Sequence, residues 1–197
     1  MHSDTDEYEV TPRPTREDTA LIVIDFQTSL LSTMEKEVAE RTLSQTTLLI
    51  EGARILSLPI IATEQYPRGL GVTAPEIQRV LGDAYRPFEK LSFSLMGEPS
   101  IADAVRALGR PNLILAGMET HICVLQSAVE LIDEGLIPFV AADAVCSRKK
   151  LDWELGLGFM ADAGAEITSV ETILFSLFGK AGTPEFKAFA GLLKERT

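Results

Sequence analysis

From residue 19 to residue 26 the chain reads TALIVIDF, a nearly unbroken apolar run rich in β-branched side chains. A strand with one wet face alternates polar and apolar residues, whereas a run without alternation is buried on both faces. Such a strand needs a layer of other structure on each side. The demand recurs in PIIATEQ (59–65), where Pro59 takes the first position and costs no ladder donor, in PNLILAG (111–117), in IPFVAAD (137–143) and in AEITSVE (165–171). A short edge strand is expected within RPFEKLSFS (86–94). Segments of helical period separate these runs at 34–57, 100–109, 120–135 and 151–164. Ser100 and Thr120 are the expected N-caps of two of them. A last amphipathic helix is expected over the closing residues, capped by Thr183 with Pro184 in its first position. YPRGLGVTAPEI (66–77) reads as a loop. Strand and helix alternate without repeat or linker, which predicts an α/β sandwich with a mostly parallel sheet, Rossmann-like, and helices on both faces.

A chain of 197 residues fits one domain with a full core. Residues 1–17, acidic and proline-containing, are expected to form a flexible arm ahead of a domain spanning 18–197. The formal net charge of −11 argues against a nucleic-acid binder, which needs a basic face, and against docking on anionic lipid. No window of about 18 apolar residues is present, so no membrane span is expected. Two cysteines make no disulfide framework, and the first residues lack a signal peptide's apolar centre, so a reducing cytoplasm is expected.

In parallel α/β sheets the active crevice lies beyond the carboxyl ends of the strands. Asp25 ends the first strand, Thr63 and Glu64 end the second, Lys90 sits in or after the edge segment, and Cys123 opens the helix after 111–117. Asp25 follows LIVI directly; a carboxylate so near the sheet core must be paired or functional, unless it merely orders a loop. Lys90, flanked by Phe88, Leu91 and Phe93, is its natural partner, or else a surface lysine on an edge strand. Cys123 alone is a small buried residue as readily as a nucleophile. In the first turn of a helix, however, free N–H groups and a nearby lysine are expected to favour its thiolate, and an aspartate would take its proton. The three together form a self-consistent thiol-nucleophile site.

At these residues the chain resembles the isochorismatase-like cysteine hydrolase superfamily. The resemblance rests on ALIVIDFQTSLL with Asp25, FEKLSFS with Lys90, LILAGMETHICVLQSA with Cys123, and VAADAVCSRK, and covers essentially everything after the arm. Within the superfamily the chain is most similar to the isochorismatase-domain-containing proteins of undefined substrate, through ATEQYPRGLGVTAPEI and ETILFSLFGKAGTPEFK. The resemblance implies a parallel six-stranded three-layer α/β/α fold, an Asp25–Lys90–Cys123 catalytic triad, a cis peptide at Met118–Glu119, and an oxyanion hole from the Glu119 and Cys123 N–H groups. It further implies a homo-oligomer and attack of Cys123 on a carbonyl or nitrile carbon, with ammonia as a frequent leaving group and water completing hydrolysis. Nicotinamidases of the superfamily hold a metal with an Asp and two His residues after the second strand. That region here has no histidine, and His2 and His121 are the whole supply, so no metal is expected and His121 reads as a packing or interface residue. Retention of the cysteine favours acyl chemistry over vinyl-ether hydrolysis.

The remaining candidates are less constrained. Gln65, Tyr66 and Arg68 are either substrate contacts or ordinary loop residues, and Phe26 and Gln27 are candidate pocket lining. Cys146 reads as a small semi-buried residue, and Trp153 as a helix or subunit contact. Gly69–Leu70–Gly71 lacks the strand–helix context of a dinucleotide fingerprint, so no cofactor is expected. The leading expectation is a metal-independent cysteine hydrolase of a small amide or related acyl compound. A catalytically idle oligomeric scaffold and a redox-sensing thiol protein stand as alternatives.

Overall fold

The computed structural model describes residues 13–196, so most of the expected N-terminal arm lies outside the described residues. The sheet has six strands, all parallel, in the order β3-β2-β1-β4-β5-β6: β1 (Thr19–Ile24), β2 (Ile60–Gln65), β3 (Phe88–Lys90), β4 (Asn112–Met118), β5 (Ile137–Cys146) and β6 (Glu166–Thr168). The helices are α1 (Thr28–Leu31), α2 (Lys36–Ile55), α3 (Pro67–Leu70), α4 (Pro75–Leu81), α5 (Pro99–Ala107), α6 (Leu125–Asp133), α7 (Lys150–Ala163), α8 (Val170–Phe178) and α9 (Pro184–Glu195). Among the described residues, none of them is long and apolar enough to cross a membrane.

The two-residue period of the strands divides the core. Leu21 and Val23 of β1 face one side and pack with Leu49 and Ala53 of α2, Ile77 of α4, Leu174 of α8 and Phe189 of α9. Ala20, Ile22 and Ile24 face the other side, with Ile101 of α5, Val124 and Leu131 of the segment after β4, and Met160 of α7. Both faces of β1 are therefore dry, which is what its unalternated sequence requires.

Several elements differ from the sequence expectation. Ser100 lies inside α5, whose N-cap is Glu98, because Pro99 takes the first helical position where its missing N–H costs nothing. Glu119, not Thr120, occupies the cap position after β4, and a π turn over Thr120–Val124 precedes α6. The last strand stops at Thr168. Ser169 then accepts a bond from the Thr172 N–H and opens α8, whose Val170, Ile173, Leu174, Leu177 and Phe178 form the buried side of a helix. The stretch read as a loop contains α3 and the start of α4, each opened by a proline. Thr183 caps α9 as expected, accepting from the Phe186 N–H.

Phe189 is fully buried and stacks on Phe178 with ring centroids 4.8 Å apart. Phe189→Ala is expected to cost about 3–5 kcal/mol in urea unfolding. Thr183→Ala, which removes one cap bond, is expected to cost about 1 kcal/mol in the same measurement.

Candidate active site

The strand order reverses between β1 and β4, and two of the three predicted catalytic residues leave the sheet there. Asp25 follows β1 with φ of 51° and is fully buried. Cys123 follows β4, within the π turn, and is 5% exposed. Gly117 makes the junction tight. It pairs with Ile24 across the sheet at φ of 134°, and a β-carbon on it would fall 1.9 Å from the Ile24 carbonyl oxygen. Only glycine allows β1 and β4 to meet at this point. The peptide between Met118 and Glu119 is cis.

Lys90 ends β3, two strands from β1, and reaches back across the end of β2. Its Nζ lies 2.7 Å from Asp25 Oδ2, and both side chains are completely buried. Nζ also donates to Gln65 Oε1 at 2.6 Å, to the Phe93 carbonyl at 2.9 Å and to the Ser92 carbonyl at 3.2 Å. Asp25 Oδ1 accepts from Thr63 Oγ1 at 2.8 Å. The buried pair is thus surrounded by matched polar groups, the condition under which such a pair persists.

Supporting residues fix these partners, and sequence reasoning missed most of them. Glu98 Oε1 accepts from the Leu91 and Ser92 N–H groups at 2.7 and 3.0 Å, curling the loop that offers its carbonyls to Lys90. Those N–H groups, Ser92 first, hold the Glu98 carboxyl below the usual carboxylate range. Ser127 Oγ donates to the Cys123 carbonyl at 2.6 Å and accepts from the Leu95 N–H at 3.1 Å, tying the Lys90 loop to the Cys123 turn. Glu119 Oε2 accepts from the backbone and side-chain Nε of Arg148, both at 3.0 Å. The His121 ring and Ser147 Oγ meet at 2.9 Å, so His121 braces the turn against the end of β5. A signal for Glu98 was present in its place just before Pro99; the signal for Ser127, four residues beyond Cys123, is no different from that of any helical serine.

The other candidates fall in distinct places. Gln65 is buried and bridges Lys90 and the Leu91 carbonyl, to which its Nε2 donates at 2.9 Å. Tyr66 is half exposed and lines, with Arg68, Lys90, Leu91 and Glu98, a cavity of about 350 Å³. Phe26 is fully buried on the α2 side of the sheet. Gln27 is fully buried and acts as a strap: its Nε2 donates to the Gln65 and Gly71 carbonyls and its Oε1 accepts from the Gln65 N–H. Cys146 pairs with Met118 in the sheet but belongs to the α2-side core, on the opposite face from Cys123. Both cysteines are free thiols. Among the described residues no group of three or more His, Cys, Asp or Glu side chains gathers as a metal site would need.

The electrostatics correct one expectation. Burial first, and then the Asp25 charge, push the Cys123 thiol up to about 12, against the opposing pull of Lys90. The first turn of a helix does not overcome that, so the resting group is a thiol rather than a thiolate. Burial also raises Asp25 above its ordinary value, despite Lys90, Thr63 and Cys123, making it a stronger base than an exposed carboxylate. A protonated thiol beside a strengthened base is suited to proton transfer during attack.

A profile of the Isochorismatase domain family matches residues 19–172. A secreted isochorismatase effector, Isc1, of Phytophthora sojae is 37% identical over 157 residues, covering 76% of this chain and 73% of that protein. Isochorismatase domain-containing protein 2 of Bos taurus is 38% identical over 150 residues, covering 75% of this chain and 70% of its own. Among solved structures, one described as MAR1 ribonuclease from Caenorhabditis elegans superposes with a TM-score of 0.86 at 36% identity, covering 93% of both chains.

Two outcomes follow from the geometry. Alkylation of Cys123 by iodoacetamide is expected to rise only as pH climbs well above 9, towards the raised thiol value. In Asp25→Asn the negative neighbour is gone and Lys90 remains, so the midpoint is expected to move down. A profile unchanged by Asp25→Asn would show that the carboxylate does not act on the thiol. Gly117→Ala is expected to destabilise the fold by at least about 2 kcal/mol in urea titration, because strain at positive φ adds to the clash with Ile24.

Proposed function

We propose, because this chain belongs to the isochorismatase family, that it is a metal-independent cysteine hydrolase of a small amide or related acyl compound. Family membership supports a hydrolase. The observation that carries the finer reading is the convergence of Asp25, Lys90 and Cys123, buried together at the point where the strand order reverses.

The chemistry follows from the groups in place. As Cys123 sulfur attacks the acyl carbon, its proton passes to Asp25 and a C–S bond forms. The negative oxygen that develops is held by the N–H groups of Glu119 and Cys123 at the mouth of the π turn. Lys90, 2.7 Å from Asp25, lowers the cost of a negative charge there and offsets the charge that builds on sulfur. The C–N bond then breaks, the amine leaves with the proton from Asp25, and a thioester remains. Asp25 takes a proton from water, the resulting hydroxide attacks, the C–S bond breaks, and the proton returns to sulfur. One carboxylate serves as base and acid in each half. Gln65 holds Lys90, and Tyr66 stands where the cavity beside Lys90 can admit substrate. Phe26 and Gln27 support the pocket from behind.

The relative described as a ribonuclease raises a second activity. Cleaving RNA needs a cationic track for its phosphates, and a net charge of −11 supports the small-molecule reading instead. The two buried free thiols support a reducing cytoplasm for this chain, although the Phytophthora sojae relative is described as secreted.

The test is a screen of small amides and nitriles for released ammonia, with mass analysis of rapidly quenched enzyme. An acyl adduct on Cys123 is expected for a turned-over amide. Asp25→Asn is expected to lower turnover by about 10²–10⁴-fold. Cys123→Ala is expected to abolish it, and activity surviving that change would rule out the covalent route. Ribonuclease activity that survives Cys123→Ala would point to a different site.

A further inference from the structure

A second cavity opens at the carboxyl end of β5, one strand beyond the Cys123 turn. It holds about 340 Å³ and lies where α2 and α7 begin. Asp25, Lys90 and Cys123 take no part in its lining. Val38, Val145 and Trp153 supply apolar wall. Trp153 Nε1 is spent on the Ala142 carbonyl at 3.2 Å, so the indole offers the cavity its apolar surface. Two arginines line the same space, Arg41 from α2 and Arg148 from the segment after β5. Arg148 gives its backbone N–H and its Nε to Glu119 Oε2, which leaves its two terminal nitrogens without a partner among the described residues. Arg41 makes no hydrogen bond or ion pair among the described residues.

We propose that this cavity binds a small organic carboxylate, its anion taken by Arg41 and Arg148 and its apolar body set against Trp153 and Val38. Net charge does not select the ligand, because the mouth is close to balanced. Glu35 stands exposed at the same opening, Lys150 is held 3.4 Å from Glu154, and Asp152 lies 3.9 Å from His121. The selection is directional. A guanidinium presents paired N–H donors in one plane, which match the two oxygens of a carboxylate. Free donors beside apolar wall suit an acid with an apolar body better than a bare ion, and Glu35 opposes a dianion more than a monoanion. Neither α2 nor α7 has a side-chain cap bond, so two positive helix ends also lie at the opening. The occupant touches the guanidinium that holds Glu119, whose N–H is one of the proposed oxyanion donors.

Trp153 is the one tryptophan of the chain, so its fluorescence reports on this cavity. The probe is cyclohexanecarboxylate, which absorbs no exciting light, and cyclohexylmethanol is its neutral counterpart. A saturable fluorescence change is expected with the acid, and binding at least about tenfold weaker with the alcohol, which cannot accept charge-assisted bonds from both arginines. Inorganic phosphate, a bare anion, is expected to bind at least about tenfold more weakly than the acid, because it buries no apolar surface. Arg41→Gln is expected to weaken the acid about tenfold, and Glu35→Gln to tighten it about threefold. Cys123→Ala is expected to bind it as the wild type does. The proposal is overturned if the acid saturates neither the fluorescence nor a ligand-observed NMR signal, or if the alcohol or phosphate binds as tightly. Folded Arg41→Gln with wild-type affinity overturns it too, and if that variant fails to fold, an unchanged affinity in Glu35→Gln does so. Loss of binding in Cys123→Ala would place the acid at the catalytic residues and overturn it as well. The readout is binding at a site without the proposed triad, so its failure is distinct from failure of the hydrolase reading.

Discussion

The molecule's site depends on an ion pair that costs free energy to bury. Asp25 and Lys90 have no exposed side-chain surface, and taking two charges out of water costs several kcal/mol for each ion. Their mutual attraction returns that only if the remaining donors and acceptors are matched. This accounts for much of the local architecture. Thr63 fills one carboxylate oxygen, Gln65 and two loop carbonyls surround the ammonium, and Glu98 curls the loop that supplies those carbonyls. Removing one partner would leave an unpaired buried charge, so the loop after β3 is as constrained as the strands despite its irregular path.

Burial first, and then the same pair, set the state of the thiol. Cys123 sits between two opposite charges in a dry site. Lys90 favours a thiolate, while Asp25 and burial oppose it, and the opposition wins. A permanent thiolate would be open to oxidation and to any electrophile. A thiol that loses its proton only when a carbon is in place reacts with what the pocket admits. This weakens the redox-sensing alternative, which needs an accessible, low-pKa sulfur.

How much of this was legible in the sequence depends on which forces are local. The buried strands were, because Ala20 to Ile24 must be apolar on both faces whatever follows. Asp25, Lys90 and Cys123 were, because a charge or thiol at the carboxyl end of such a strand has few structural reasons to be there. α8 was missed although its apolar residues follow helical period, because its first residue, Val170, also extends an apolar strand reading. Gln27 was read as pocket lining because it lies two residues from Asp25. Its amide instead ties together residues 65 and 71, a long-range contact that no local pattern encodes. The thiol's protonation state was misjudged for a similar reason: a helix terminus is visible in sequence, but the depth at which it is buried is not.

Burial explains why an isolated look at Cys123 is ambiguous. A buried apolar cysteine and a resting nucleophile of the kind proposed would share the same low exposure, the same protonated sulfur and the same helix-start position. Cys146 shows the contrast within one molecule. It too is buried with its thiol pushed up to about 12, and it lies across the sheet from the same turn, yet its environment is the hydrophobic layer under α2. What separates the two is not sulfur acidity but the group that can accept the proton. Cys123 has the Asp25 carboxyl, raised above its ordinary value by burial and set 2.7 Å from Lys90 Nζ. Cys146 feels Glu119 only as a charge, and that carboxylate is already committed to Arg148. In the proposed mechanism, reactivity is therefore a property of the strand reversal that brings β1 and β4 together, and a thiol one face away would not share it.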